Sequence, residues 1–415
     1  MKVLFYNHTG QVSGAERMLL MILARLDQRR FDPLVICPEQ GPLREMATSL
    51  GVPVQSVNGL EARFTWRVDL LLRYFRSFLV VVRQLRRKVV STKPDLIHAN
   101  SIRAGLVATA ATVGLDANVV WHLHDLLPRH PLSIGVRIFA FLCARTGMIA
   151  VSSAVRENFG GAVEGVGPGL KERTVVILNA IDLEKFQPDH AARQQVRDEL
   201  KLGASQPVIG IVGQLTPRKG QLELIRAFAQ VLGESPRAVL LLVGAPLFNR
   251  DHEYEQLLRD TSRELGISDR VLLLGARSDV AAIMQALDLL VINSSAEPFG
   301  LVALEGMACG TPVVAAACDG LTEIIHHEVD GWLVPPGDER TLAAAIAKLS
   351  REPALRAQLA EQGKKHVAAR FSAARYMAEI QGFYCSNVNS QSKVIAVEST
   401  RSKGEAKKFA ELAEQ

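Results

Sequence analysis

Residues 291–315 read VINSSAEPFGLVALEGMACGTPVVA: an apolar run, a short polar loop, a helix-forming stretch, then Gly310-Thr311-Pro312 and a second apolar run. Apolar runs of strand length framing a helical segment are the unit from which parallel sheets covered by helices are built. Inside the loop, Glu297 and Glu305 bracket Pro298-Phe299-Gly300, where proline marks a helix start. A helix beginning at Pro298 or Phe299 puts Glu305 roughly 10 to 12 Å along the axis from Glu297. The backbone N–H groups of Phe299, Gly300, Leu301 and Val302 then lie between the two carboxylates at the positive end of the helix dipole, suited to phosphate oxygens. The spacing matches a diphosphate with a hydroxylated ring at each end. A surface helix with two solvated acids is the plainer reading.

The same alternation runs through the chain. Apolar runs lie at Lys2 to Tyr6, Leu34 to Cys37, Leu96 to His98, Val119 to His122, Gly147 to Val151 and Val175 to Ile177. A second series follows at Val208 to Val212, Val239 to Val243, Val271 to Leu274, Leu289 to Ile292, Val313 to Ala315 and Gly331 to Val334. Two series in 415 residues predict two α/β domains, each a doubly wound Rossmann-like sheet, joined around Asn179 to Gln206. In such sheets ligands bind beyond the carboxyl ends of the strands, so loops that follow strands hold the candidates.

After the first strand comes Asn7 to Arg17, in which Gly14 leaves room for a phosphate at a helix start. After the fourth comes Trp121-His122-Leu123-His124-Asp125. Alternation points His122 and His124 to one side, and Asp125 is placed to hold an imidazole tautomer. A histidine metal pair is the rival reading there. It lacks a third ligand nearby, and the chain contains no Asp-x-Asp to seat a divalent ion on a diphosphate. After the first strand of the second series comes Gly213 to Gly220, where Arg218 and Lys219 offer the positive charge that a departing diphosphate needs.

The Glu297 to Glu305 stretch resembles the E-x7-E motif of the retaining glycosyltransferases of family 4, the family of glycogen and sucrose synthases and many bacterial mannosyl- and glucosyltransferases. The likeness extends from the first strand to about residue 385. It implies the GT-B fold, two Rossmann-like domains facing across a cleft: residues 1–180 on the acceptor side, 181–373 binding the nucleotide-sugar, a helix at about 374–386 crossing back, and a polar tail over 387–415. It implies transfer of a hexose-type sugar from a nucleoside-diphosphate-sugar, such as a UDP- or GDP-sugar, to a hydroxyl of a glycan, a lipid-linked or a small-molecule acceptor. Metal-independent front-face attack is part of the same expectation, in which the leaving phosphate takes the acceptor proton. By the same resemblance Glu305 holds the ribose hydroxyls and Glu297 the transferred sugar. His124, in a His-Asp pair, lies beside that sugar. Gly14, Arg218, Lys219 and the 299–302 amides hold the diphosphate. Two alternatives share the architecture, a nucleotide-sugar 2-epimerase and a non-catalytic sugar-nucleotide-binding protein. No cofactor and no metal is expected.

Composition adds limits. Cys37, Cys143, Cys309, Cys318 and Cys385 show no metal or disulfide spacing, and no segment reads as a signal sequence or membrane span, so a cytoplasmic protein is expected. Residues 1–190 carry 23 basic and 16 acidic side chains, against 25 and 27 in the remainder. Much of that surplus falls between Arg63 and Lys88, where eight basic residues face Asp69 alone. At about 100° per residue, Arg73, Arg76, Arg83 and Arg87 share one helix face, opposite Leu71, Phe75, Phe78, Val82 and Leu85. This cationic amphipathic helix is read either as an ordinary surface helix or as one that meets an anionic membrane face. Nucleic acid is not expected, because no recognition pattern accompanies the charge. Gly160 to Gly169 reads as a loop.

Overall fold

The computed structural model describes residues 1–60, 67–142, 146–161, 167–246 and 252–388. The chain forms two compact units: Met1–Val151 with Val155–Ile177 and Met377–Gln415, and Ser152–Ala154 with Leu178–Tyr376. Among the described residues the first unit holds a seven-stranded sheet, β1 (Lys2–Tyr6), β2 (Asp32–Pro38), β3 (Val54–Val57), β4 (Leu96–Ala99), β5 (Asn118–Leu123), β6 (Thr146–Ala150) and β7 (Thr174–Val176), in the order β3-β2-β1-β4-β5-β6-β7. The second holds six strands, β8 (Val208–Val212), β9 (Val239–Val243), β10 (Val271–Gly275), β11 (Leu289–Ile292), β12 (Val313–Ala316) and β13 (Trp332–Val334), in the order β10-β9-β8-β11-β12-β13.

All pairings within both sheets are parallel. A parallel sheet is covered on both faces, which is why β4, β9, β11 and β12 are buried along their whole length; β9, β11 and β12 read as unbroken apolar runs, and β4 is interrupted only by His98. Both sheets change winding direction in the middle, between β1 and β4 and between β8 and β11. Loops leaving adjacent strands part there and open a crevice at their carboxyl ends.

Three expectations are corrected. Val54–Val57 is a strand that the apolar pattern does not announce, because Gln55 and Ser56 interrupt it. The loop predicted at 160–169 is partly helical, since Gly160 ends the helix Ser153–Gly160 and Gly167-Pro168-Gly169 opens the helix Gly167–Glu172, while 162–166 lie outside the described residues. The cationic helix, Val68–Thr92, buries Leu85 of the predicted stripe, and with it Val81 and Val89, which the stripe did not include. Phe75 of that stripe is 59% exposed, as is 62% of neighbouring Leu72. Among the described residues the buried positions of the helix all fall in its second half, where Arg86 Nη1 donates to the Ala111 and Val113 carbonyls at 3.0 and 2.7 Å. Arg63 and the polar tail beyond residue 388 lie outside the described residues.

The last described helix, residues 373–388, enters the first unit at Met377. Its Tyr384 is wholly buried, its hydroxyl 2.7 Å from His98 Nδ1 on β4 and its ring edge-on to Phe5 and Phe31.

On β5, Trp121 is fully buried, donates Nε1–H to Thr109 Oγ1 at 2.9 Å and fills the space above Gly105 in the helix Ile102–Thr112. A Cβ at Gly105 would stand 2.2 Å from the indole. In an open helix Gly→Ala stabilises by about 1 kcal/mol; here overpacking reverses the sign. Gly105→Ala is expected to lower stability by about 1 to 3 kcal/mol, measured from urea unfolding curves.

Candidate functional site

In the second unit, three neighbouring strands, β8, β11 and β12, deliver their following loops to one place. The loop after β8 closes as a 3-10 turn, Pro217–Lys219, and ends at Gly220 with φ 69°. A side chain there would be strained and would also meet the Asn293 carbonyl at 2.1 Å, so glycine lets the β8 and β11 loops touch. Asn293 Nδ2 donates to the Gly220 carbonyl at 3.1 Å, Arg218 Nη1 to the Ala296 carbonyl at 2.7 Å, and Ser295 N to the Arg218 carbonyl at 2.9 Å.

With the loops held this way, Lys219 Nζ lies 2.6 Å from Glu297 Oε2, both side chains largely buried at 15% and 12% exposure. Ser294 Oγ donates to the same carboxylate oxygen at 3.0 Å. The loop after β12 fixes the Glu297 backbone from the other side, its N–H donating to Asp319 Oδ2 at 2.9 Å and its carbonyl accepting from Gly320 N at 3.0 Å. Cys318 Sγ meets the Ser294 carbonyl at 3.2 Å, and burial pushes its thiol up to about 12, so it is an inert filler here.

The helix expected from Pro298 or Phe299 starts at Leu301 and runs to Ala308. Gly300 caps it at φ 109°, outside the helical region, and this conformation blocks an earlier start. Phe299 is buried and, with Gly300, precedes the helix; the first-turn amides belong to Leu301 and Val302. Glu305 is five residues into the helix and 4% exposed.

The first unit has its own polar centre at the β1/β4 switch point. His124, just past β5, is buried, with Nε2 3.2 Å from Asn100 Oδ1. Asn100 follows β4 and donates Nδ2 to Asn7 Oδ1 at 3.1 Å and to the Ala15 carbonyl at 3.2 Å. Asn7 follows β1 and donates to Glu16 Oε1 at 3.1 Å and to the Thr9 carbonyl at 2.6 Å. Glu16, in the first turn of the helix Gly14–Arg25, accepts from Ser13 N and Oγ through its other oxygen at 2.9 and 2.5 Å. Gly14 is exposed at the first position of that helix. Asn7, Asn100 and Glu16 were not singled out from the sequence. The Ser13-x-x-Glu16 capping pattern was the available signal for Glu16, whereas both asparagines become neighbours only through the order β1-β4-β5.

His98, His122 and His124 cluster in this centre, with His98 edge-on to His122 and the ring centroids of His122 and His124 3.9 Å apart. Burial pulls His98 and His124 down to about 3 and His122 well below the ordinary imidazole value, so all three are neutral near pH 7. Among the described residues, the grouping with metal-ligand character is elsewhere, at His326, Asp330 and His366. There Asp330 Oδ2 lies 2.7 Å from His326 Nδ1 and 3.4 Å from His366 Nδ1, and Oδ1 accepts from His326 N, so the buried carboxylate is satisfied by protein donors.

Three imidazoles that are neutral when buried bind protons on unfolding below about pH 6.5. Their contribution is complete above that value and is lost as pH falls toward their folded values. The urea midpoint is expected to fall between pH 7 and 5, each of these histidines costing up to about 1.4 kcal/mol per pH unit once the unfolded chain is protonated. An unchanged midpoint would contradict their neutral burial.

Comparison with known proteins gives the family. The family described as glycosyl transferases group 1 matches residues 192–366, and glycosyltransferase family 4 matches residues 12–185. A D-inositol 3-phosphate glycosyltransferase of Stackebrandtia nassauensis is 36% identical over 70% of this chain and 68% of its own. The chain spans about half the length of other relatives of that name, 47% and 50%. The lipopolysaccharide core biosynthesis glycosyltransferase LpsD of Rhizobium meliloti is 29% identical over 90% of this chain and 94% of its own. Among solved structures, Anabaena Alr3699/HepE in complex with UDP-glucose superposes with TM-score 0.80 at 28% identity, over 93% of this chain and 100% of that one. Two Rossmann-like parallel sheets, matches to both families across the two halves and these relatives identify the chain as a member of glycosyltransferase family 4.

Proposed function

We propose that the chain is a retaining, metal-independent hexosyltransferase that takes its sugar from a UDP-sugar and passes it to a hydroxyl of a glycan, lipid-linked or small-molecule acceptor. The observation that carries this reading is the Lys219–Glu297 pair at the β8/β11 switch point. A buried cation and carboxylate at the carboxyl ends of adjacent strands suit a ligand that is anionic at one end and rich in hydroxyl donors at the other. UDP is favoured because HepE has been solved with UDP and with UDP-glucose. LpsD favours a saccharide acceptor.

In this reading the diphosphate draws Lys219 from Glu297, and the freed carboxylate accepts from the sugar hydroxyls. Arg218 and the Leu301 and Val302 amides add positive charge around the phosphates, and Glu305 takes the ribose. Gly14 and His124 of the first unit keep the roles that the family resemblance gives them. The bond from the anomeric carbon to the phosphate oxygen breaks, the acceptor oxygen bonds to that carbon from the same face, and its proton passes to the leaving phosphate. Cations placed where that oxyanion develops lower the barrier by a few kcal/mol.

Glu297→Ala is expected to abolish transfer from UDP-glucose with an unchanged circular dichroism spectrum. Lys219→Ala is expected to lower kcat by about 100- to 1000-fold. Both are checked by UDP release in the presence of saccharide acceptors, with GDP- and ADP-glucose run alongside. Wild-type turnover in the Glu297 variant removes that residue from the site, and turnover of UDP-glucose without acceptor favours the epimerase alternative.

The cationic helix favours a second partner, an anionic membrane surface. Among the described residues no helix is long and apolar enough to cross a membrane. Leu72, Phe75 and Val80 are nonetheless 62%, 59% and 41% exposed on the same helix as Arg73, Arg76, Arg83 and Arg87. Exposed apolar side chains among arginines suit insertion between acidic headgroups, each basic residue contributing about 1 kcal/mol. The chain is expected to float with phosphatidylserine liposomes, and changing Arg73, Arg76 and Arg83 to Glu to abolish flotation; undiminished flotation would end this reading.

A further inference from the structure

The polar chain that ends on His124 has a direction. The Thr9 carbonyl and the Glu16 carboxylate can only accept, so Asn7 must present its NH2 to them, which leaves Oδ1 facing Asn100. The Ala15 carbonyl and Asn7 Oδ1 can likewise only accept, so Asn100 presents its NH2 to both and turns Oδ1 toward His124. An imidazole nitrogen 3.2 Å from an amide oxygen must carry its hydrogen. Asn7, Asn100 and Glu16 are 0%, 0% and 3% exposed, so water offers no alternative partner that would let either amide flip.

We propose that Asn7 and Asn100 are positioning residues that lock His124 as the Nε2–H tautomer and leave Nδ1 as its acceptor. Backbone carbonyls and one carboxylate, through two amides, decide which nitrogen of a ring two residues removed carries the proton. The consequence rests on the reading above that His124 meets the transferred sugar: a bare Nδ1 presents the negative end of a neutral ring, accepts from a sugar hydroxyl and favours positive charge at the anomeric carbon. An imidazolium, or the other tautomer with its N–H in that place, would repel that charge.

The test is long-range nitrogen NMR on the full chain labelled in histidine, with His124 identified by its loss in His124→Gln. In the unaltered protein His124 is expected to show the Nε2–H pattern from pH 5 to 8; an Nδ1–H pattern overturns the proposal without any variant. Asn100→Ala is expected to give mixed tautomers in a protein whose circular dichroism is unchanged, and a pure Nε2–H pattern there also overturns it. Asn100→Asp puts a carboxylate beside Nε2 and is expected to raise the His124 pKa by roughly one to three pH units. UDP-glucose added to the unaltered protein separates the two layers. A shift at His124 Nδ1 supports the sugar contact, and no shift with the Nε2–H pattern intact overturns that contact while the positioning stands.

Discussion

A parallel sheet that winds one way from its centre and the other way beyond it must part its loops at the middle. Both units obey this constraint, and the polar chemistry of each collects at the parting. In the second unit it brings the β8 loop against the β11 loop, so that Lys219 and Glu297 meet across 78 residues of sequence. In the first it sets Asn7 beside Asn100 and Asn100 beside His124. Elsewhere the sheets are lined by buried aliphatic side chains, which tolerate little that is polar.

The two centres handle buried polarity differently. In the second unit a charged pair is closed on itself, with the Ser294 hydroxyl as a second donor to the carboxylate. Removing two opposite charges from water costs desolvation energy, which close pairing and the added serine hydrogen bond offset. In the first unit the ionisable rings are neutral, and order comes from amides whose donors and acceptors are each assigned by a fixed neighbour.

How much of this was legible in the chain follows from the same physics. Strands buried on both faces write themselves as apolar runs, so β8, β9 and β11 are read with their observed limits, and β1 likewise. β3 is an edge strand with two polar residues in four, and nothing in VQSV separates it from a loop. Proline at 298 signals a helix start correctly in kind, but Gly300 takes a left-handed conformation that the residue names do not reveal, and the helix waits until Leu301. Residues carried on loops after strands, such as Lys219 and His124, were visible as candidates. Their partners Ser294, Asp319 and Asn100 were not, because strand order and not spacing makes them neighbours. For the helix Val68–Thr92, periodicity gives the composition of each face but not which positions along it become buried.

Tyr384 connects the end of the chain to its beginning. Its buried ring packs edge-on to Phe5 and Phe31, and its hydroxyl meets His98 of the histidine cluster. During synthesis on the ribosome, β1 to β7 emerge long before this residue. The N-terminal sheet must therefore wait, with an aromatic slot open, while nearly two hundred residues of its companion are made and fold. Completion of the first unit is thus a late event in biosynthesis, and a chain released early would expose that slot to chaperones and proteases.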